Sequence, residues 1–145
     1  MIFQLCYTSK ETTSAEQLMF DLREILSEAL YFNRVNQIRG ALFFANGCFF
    51  QCLEGDKQAV LDLFERIQRD VRHDDIINFP SRWGEDGFFN AWSMKLVRKR
   101  SDIHDFFMLK GLEQFEPCKL SEIELAEFLS LLRDAEAEEV ESQVE

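Results

Sequence analysis

Between Gly40 and Glu54 the chain reads Gly-Ala-Leu-Phe-Phe-Ala-Asn-Gly-Cys-Phe-Phe-Gln-Cys-Leu-Glu: two apolar runs around an Asn46-Gly47 pair. Asn-Gly tolerates the positive φ angles of a tight primed turn, so this stretch predicts a β-hairpin with strands at Gly40–Ala45 and Cys48–Glu54. Side chains alternate along a strand. Phe49, Gln51 and Leu53 therefore share one face, and Cys48, Phe50 and Cys52 share the other. Both faces are largely apolar, so the sheet must be covered on both sides, which excludes an open two-layer arrangement.

The rest of the chain supplies candidates for the cover. Residues 2–9 read as a strand with Phe3, Leu5 and Tyr7 on one face and Ile2, Gln4, Cys6 and Thr8 on the other. Ser14 with Gln17 forms a capping box for a first helix, whose stripe Leu18, Leu22, Ile25 and Ala29 continues to Asn33. Gly55-Asp56 closes the hairpin's second strand and caps a second helix over about Lys57–Val71. Its buried stripe is Val60, Phe64, Ile67 and Val71, with Arg66 and Asp70 beside it, one turn apart. A weak strand near Ile76–Phe79, a loop at Pro80–Gly87 and a last strand at Ala91–Val97 complete an α+β order, β-α-β-β-α-β-β. That is the ferredoxin-like pattern with one extra strand and both helices on one sheet face.

The second face, to which Phe44, Cys48, Phe50 and Val97 are assigned, needs its own cover. Asp102–Lys110 predicts a short helix that Gly111 can end. Ser121 with Glu124 opens another to about Arg133, carrying Ile123, Leu125, Phe128, Leu129 and Leu132. These helices are expected to dock on the second face, or to form a homo-oligomer contact there. Three parts follow: a domain over residues 1–97, a helical extension over 98–134 and a frayed acidic tail over 135–145.

Charge narrows the function. With 16 Lys+Arg against 27 Asp+Glu the formal net charge is −11, and such a field repels a phosphate backbone, so direct nucleic-acid binding is disfavoured. No apolar run approaches the length of a bilayer span, and no signal peptide is evident, so a cytoplasmic protein that does not enter the membrane is expected. The four cysteines, Cys6, Cys48, Cys52 and Cys118, show no CxxC spacing, and His73 and His104 lie far apart. Reduced thiols and no metal site are the expectation.

The informative polar groups fall on the face beneath the first two helices. Tyr7 and Gln51 share it with apolar residues, Asn33 ends the first stripe, and Arg66 and Asp70 flank the second. A groove between two helices on one sheet face can take a planar ligand edge-on. An Asn or Gln amide offers a donor and an acceptor to an N–C=O edge such as an isoalloxazine pyrimidine ring. The same amides can equally satisfy buried backbone groups; spacing alone leaves both readings open.

Four segments resemble one family. Leu5-Cys6-Tyr7-Thr8-Ser9, Asn33 through Phe44 with Phe49–Gly55, Phe64–His73, and Phe89-Asn-Ala-Trp92-Ser-Met94 are similar, in order, to the BLUF family, sensors of blue light using FAD. The length and the helical extension look like members with no fused output domain. The resemblance implies Tyr7 as the photoactive tyrosine and Gln51 as the switching glutamine. It implies Asn33, Arg66 and Asp70 as FAD contacts, Ile25 and Ile67 on either side of the ring, and His73 close to it. Ser9, Trp92 and Met94 match positions associated with the switch. Departures are Phe32, Arg39 and Gly87, where many members carry Asn, Thr and Arg; Phe32 removes an amide contact. The implied function is non-enzymatic: a light-driven hydrogen-bond rearrangement signals to a separate effector or regulatory protein. The alternatives are a protein-interaction module without flavin and a flavin redox enzyme, the latter lacking a nicotinamide fingerprint and an obvious catalytic acid or thiol.

Overall fold

The computed structural model describes residues 1–11, 17, 24, 27, 28, 30–45, 47–70, 73–85, 87–89, 95–98, 101–111 and 119–134. Its elements are β1 (Ile2–Glu11), the helical residues 30–35 (α1), β2 (Arg39–Ala45), β3 (Cys48–Gly55), α2 (Lys57–Gln68), β4 (His73–Asn78), β5 (Arg82–Gly84), β6 (Lys95–Arg98), α3 (Ser101–Leu109) and α4 (Glu122–Asp134). The sheet order is β4-β1-β3-β2-β6, with β5 also on β1. The β2–β6 pair is parallel and the others are antiparallel. The α+β, ferredoxin-like reading holds.

The hairpin forms as expected. Gly47 has φ +76°, the left-handed value such a turn needs and glycine adopts without strain. Register then sorts the side chains, since directly opposed residues share a face. Tyr7 faces Gln51, Leu5 faces Leu53 and Cys6 faces Cys52 across β1–β3. Leu42 faces Gln51 and Phe44 faces Phe49 across β2–β3. Phe44 is thereby corrected: it lies on the Gln51 face, 4.8 Å from the Phe49 ring, and Phe43 takes its place on the other.

Two cores result, one on each side. Tyr7, Leu30, Ile38, Leu42, Phe49, Leu53, Val60 and Phe64 are buried together under α1 and α2. Phe43, Phe50, Cys52, Phe89, Ile103, Phe107, Phe128 and Leu132 are buried together under α3 and α4. Phe128 makes edge contacts at 5.8 Å to Phe43, 5.0 Å to Phe50 and 5.3 Å to Phe107. A buried aromatic of this kind contributes about 1.5–3 kcal/mol, enough to dock α4 on the sheet. The second face is therefore covered by the chain's own helices.

Three boundaries differ from expectation. The helix α2 stops at Gln68, because the Arg69 N–H turns back to the carbonyls of Arg66 and Ile67. His73 consequently starts β4, opposite Glu11, and is not at a helix C-terminus. The polar His-Asp-Asp start of β4 hides a strand whose Asp74 and Asp75 are exposed, as an edge strand permits. The segment expected as the loop Pro80–Gly87 contains β5, where Trp83 stands edge-on to Phe3 at 5.2 Å; three residues are too few to show a period. Ser14, Ile25 and the residues 91–94 of the expected last strand lie outside the described residues.

The starts of α2 and α4 are capped as expected. Asp56 accepts from the Ala59 N–H at 3.2 Å. Ser121 Oγ accepts from the Glu124 N–H at 3.2 Å, and Glu124 accepts from the Ser121 N–H at 3.0 Å. That returned bond, helped by Lys110, holds the Glu124 carboxyl below its usual range. Ser121→Ala is expected to cost about 1 kcal/mol, seen as a lower thermal midpoint of unfolding.

Candidate functional site

β1 and β3 bring the two central residues together. Because Tyr7 and Gln51 are register partners, their side chains rise side by side from the sheet, and the Tyr7 hydroxyl donates to the Gln51 side-chain carbonyl. Both are buried, at 3% exposure each. The Tyr7 ring packs at 5.4 Å against Phe64 of α2. Burial first, and the Asp70 charge second, push the Tyr7 phenol well above its ordinary value. Tyr7 thus stays protonated at any physiological pH and is a hydrogen-bond donor in the resting protein.

Asn33 sits at the end of α1 and is fully buried. Its carbonyl accepts from the Ile38 N–H at 2.8 Å, which folds the chain from α1 into β2 and aims α1's last turn over the sheet. Leu30 and Ile38, on either side, belong to the same core as Tyr7. Ile67 of α2 packs against that core, half-buried. Asp70 follows the end of α2, and its N–H donates to the Ile67 carbonyl at 3.0 Å. Ser9 is buried on the Tyr7 face, opposite Phe49. His73 has its backbone in β4, while its side chain, like Ile25, Trp92 and Met94, lies outside the described residues.

Phe32, a departure from the family pattern, has a definite role. The Arg66 guanidinium lies 4.5 Å from its ring centroid, so the aromatic face holds the cation by a cation–π contact. Phe32 thus ties α1 to α2, and an asparagine in its place would leave Arg66 without that platform.

Two buried amides, Asn33 and Gln51, and the buried phenol donor of Tyr7 suit a planar heterocycle with an N–C=O edge. Among the described residues no cluster of three or more His, Cys, Asp or Glu could hold a metal ion, and no helix is long and apolar enough to cross a membrane. Cys6 and Cys52 are opposed and buried, and burial with a hydrogen bond to Cys6 pushes the Cys52 thiol up, which makes it unreactive.

A second polar constellation escaped the reading of the residues. On the face opposite Tyr7, the buried Glu54 accepts from Gln4 Nε2 at 2.8 Å and from the backbone N–H groups of Phe88 and Phe89 at 2.9 and 3.0 Å. Its sequence signal is that Gln4 stands between Ile2 and Cys6, and that Glu54 follows Phe50 and Cys52 on the same face.

Known proteins resemble this chain in sequence and in fold. A photoactivated adenylate cyclase subunit beta of Euglena gracilis is 37% identical over 89 residues, 54% of this chain and 10% of that protein. The chain thus spans about a tenth of the length of the curated relatives it matches. The solved structure of BlsA in its photo-activated state is 41% identical with a TM-score of 0.92, covering 96% of this chain and 99% of that one. BlsA in its ground state is 41% identical with a TM-score of 0.91, covering 97% and 93%. The family model described as sensors of blue-light using FAD matches residues 2–95, and on that match the chain belongs to the BLUF family.

Proposed function

We propose that Tyr7 and Gln51 form the photoswitch of this blue-light sensor and that the chain signals to a separate effector protein. The single observation that supports this reading is the buried hydrogen bond from the Tyr7 hydroxyl to the Gln51 carbonyl. Asn33, Arg66, Asp70 and Ile67 would hold FAD, with Ile25 and His73 beside it; Ser9, Trp92 and Met94 are assigned to the surroundings of the switch. FAD, when bound, supplies blue absorption and a transient one-electron acceptor.

The chain's own residues do the rest. Tyr7 holds its proton in the dark, because burial and Asp70 oppose the phenolate. With FAD bound as the acceptor, Tyr7 would give up one electron together with its Oη proton and then recover both. While the bond to Gln51 is loosened, the Gln51 amide turns over, exchanging carbonyl and amino ends at little steric cost. No covalent bond is left behind, so the change is one of hydrogen-bond pattern and reverses thermally. The burial of Tyr7 and Gln51 keeps water from substituting for either partner.

The proposed parts are a flavin-binding domain over residues 1–97, a reporting extension over 98–134 and the acidic tail over 135–145. The proposed setting is the cytoplasm and the proposed role sensory, with no catalysis of its own. A homo-oligomer is left as an outcome of sizing measurements in light and dark. The test is a light-minus-dark absorption spectrum of the flavin-loaded protein. The intact chain is expected to show a small, thermally reversible red shift, and Tyr7→Phe, which removes only the hydroxyl, is expected to abolish it. A chain that stays colourless when offered FAD, or a Tyr7→Phe protein that keeps the shift, overturns the reading.

A further inference from the structure

Glu54 is a carboxylate at 2% exposure beneath the α3–α4 layer. A buried carboxylate is costly unless donors satisfy it. Here Oε2 accepts from Gln4 Nε2 and the Phe88 N–H, and Oε1 accepts from the Phe89 N–H. Two consecutive backbone N–H groups are thus clamped to the two oxygens of one side chain, which fixes both the position and the orientation of the Phe88–Phe89 peptide. The two rings then point into the helical layer. Phe89 is fully buried in the core with Phe128, Leu129 and Leu132 of α4, and the Phe88 ring lies 5.8 Å from the Arg133 guanidinium at the end of α4. Glu54 is three residues from Gln51 on the same strand and presents its side chain to the opposite face.

We propose that Glu54 is the positioning residue through which a change at Gln51 reaches α4. This rests on the Tyr7–Gln51 switch proposed above. A shift of β3 that accompanies the Gln51 rearrangement moves the Glu54 carboxylate. The carboxylate carries the Phe88–Phe89 backbone with it, and the two rings transmit the displacement to Leu129, Leu132 and Arg133. The carboxylate fastens the Phe88–Phe89 peptide to β3 by directional hydrogen bonds, so the two rings that meet α4 move with the strand.

The experiment is hydrogen exchange of residues 122–134 in the full, flavin-loaded chain, in darkness and under steady blue light, with the visible shift recorded on the same samples. The intact protein is expected to show a light-dependent difference in α4. Glu54→Gln replaces one accepting oxygen with an NH2 that cannot accept from a backbone N–H; it is expected to keep the visible shift and lose at least about five-fold of the α4 difference. Loss of structure alone would raise exchange in the dark, so the proposal also requires the dark exchange of α4 in Glu54→Gln to match that of the intact chain. Should Glu54→Gln fail to fold, Arg133→Ala, at an exposed position, is expected to keep the shift and diminish the α4 difference. An α4 difference as large as that of the intact chain in either variant, or none in the intact chain, overturns the proposal. An absent visible shift in the intact chain overturns the switch itself, a separate result.

Discussion

Gln51→Leu is expected to remain folded and yellow, with an absorption spectrum that does not move under blue light. Leucine is close to glutamine in size, and the position is flanked by Phe49, Leu53 and Leu42, so an apolar side chain fits the site. What disappears is the acceptor of the Tyr7 hydroxyl. A buried donor left without its partner costs about 1–3 kcal/mol, which lowers the unfolding midpoint without removing the fold. The optical effect is all-or-none, because leucine has no carbonyl to exchange with an amino group. A Gln51→Leu protein that binds FAD and still shows the light-minus-dark signal would remove Gln51 from the switch.

Gly40→Ala is expected to be strongly destabilising for so small a change. A Cβ at Gly40 would lie 2.0 Å from the Cys52 carbonyl oxygen and 3.1 Å from its carbon. Those are backbone atoms of the paired strand, so the clash cannot be relieved by turning a side chain. Relief requires β2 and β3 to part where Gly40 faces Leu53, one inward-facing pair from Leu42 and Gln51. The expected loss is about 3 kcal/mol or more, at the upper end for an overpacked interior. Urea unfolding and flavin retention would both report it. A stability within about 0.5 kcal/mol of the intact protein, the range of a harmless surface change, would show that the strands can separate there without penalty.

Much of this architecture was legible in the residues because it rests on local rules. Asn46-Gly47 announced the hairpin, and alternation placed Tyr7 and Gln51 on one face and Phe50 and Cys52 on the other. Ser121 and Glu124 marked the start of α4 through a cap made of adjacent residues. What escaped depends on partners distant in sequence. β5 exists because β1 offers an edge to Arg82–Gly84, and three residues carry no period of their own. Phe44 was assigned to the wrong face because its side is set by standing opposite Phe49. The roles of Phe32 and Glu54 depend on a guanidinium from α2 and on backbone donors 34 and 35 positions away; neither leaves a pattern in the chain itself. The Tyr7–Gln51 pair is intermediate: the shared face was readable, the direct opposition was not.

The strict alternation along β3 makes its residue count unforgiving. Gln51 is bracketed by Phe50 and Cys52, which belong to the other core. Deleting or inserting one residue between Cys48 and Gln51 would rotate the amide into the aromatic packing around Phe128 and push a phenyl ring toward Tyr7. Photochemistry and folding would fail together. Related chains can therefore vary freely in the length of their loops, while this strand has no freedom to lengthen or shorten by an odd number.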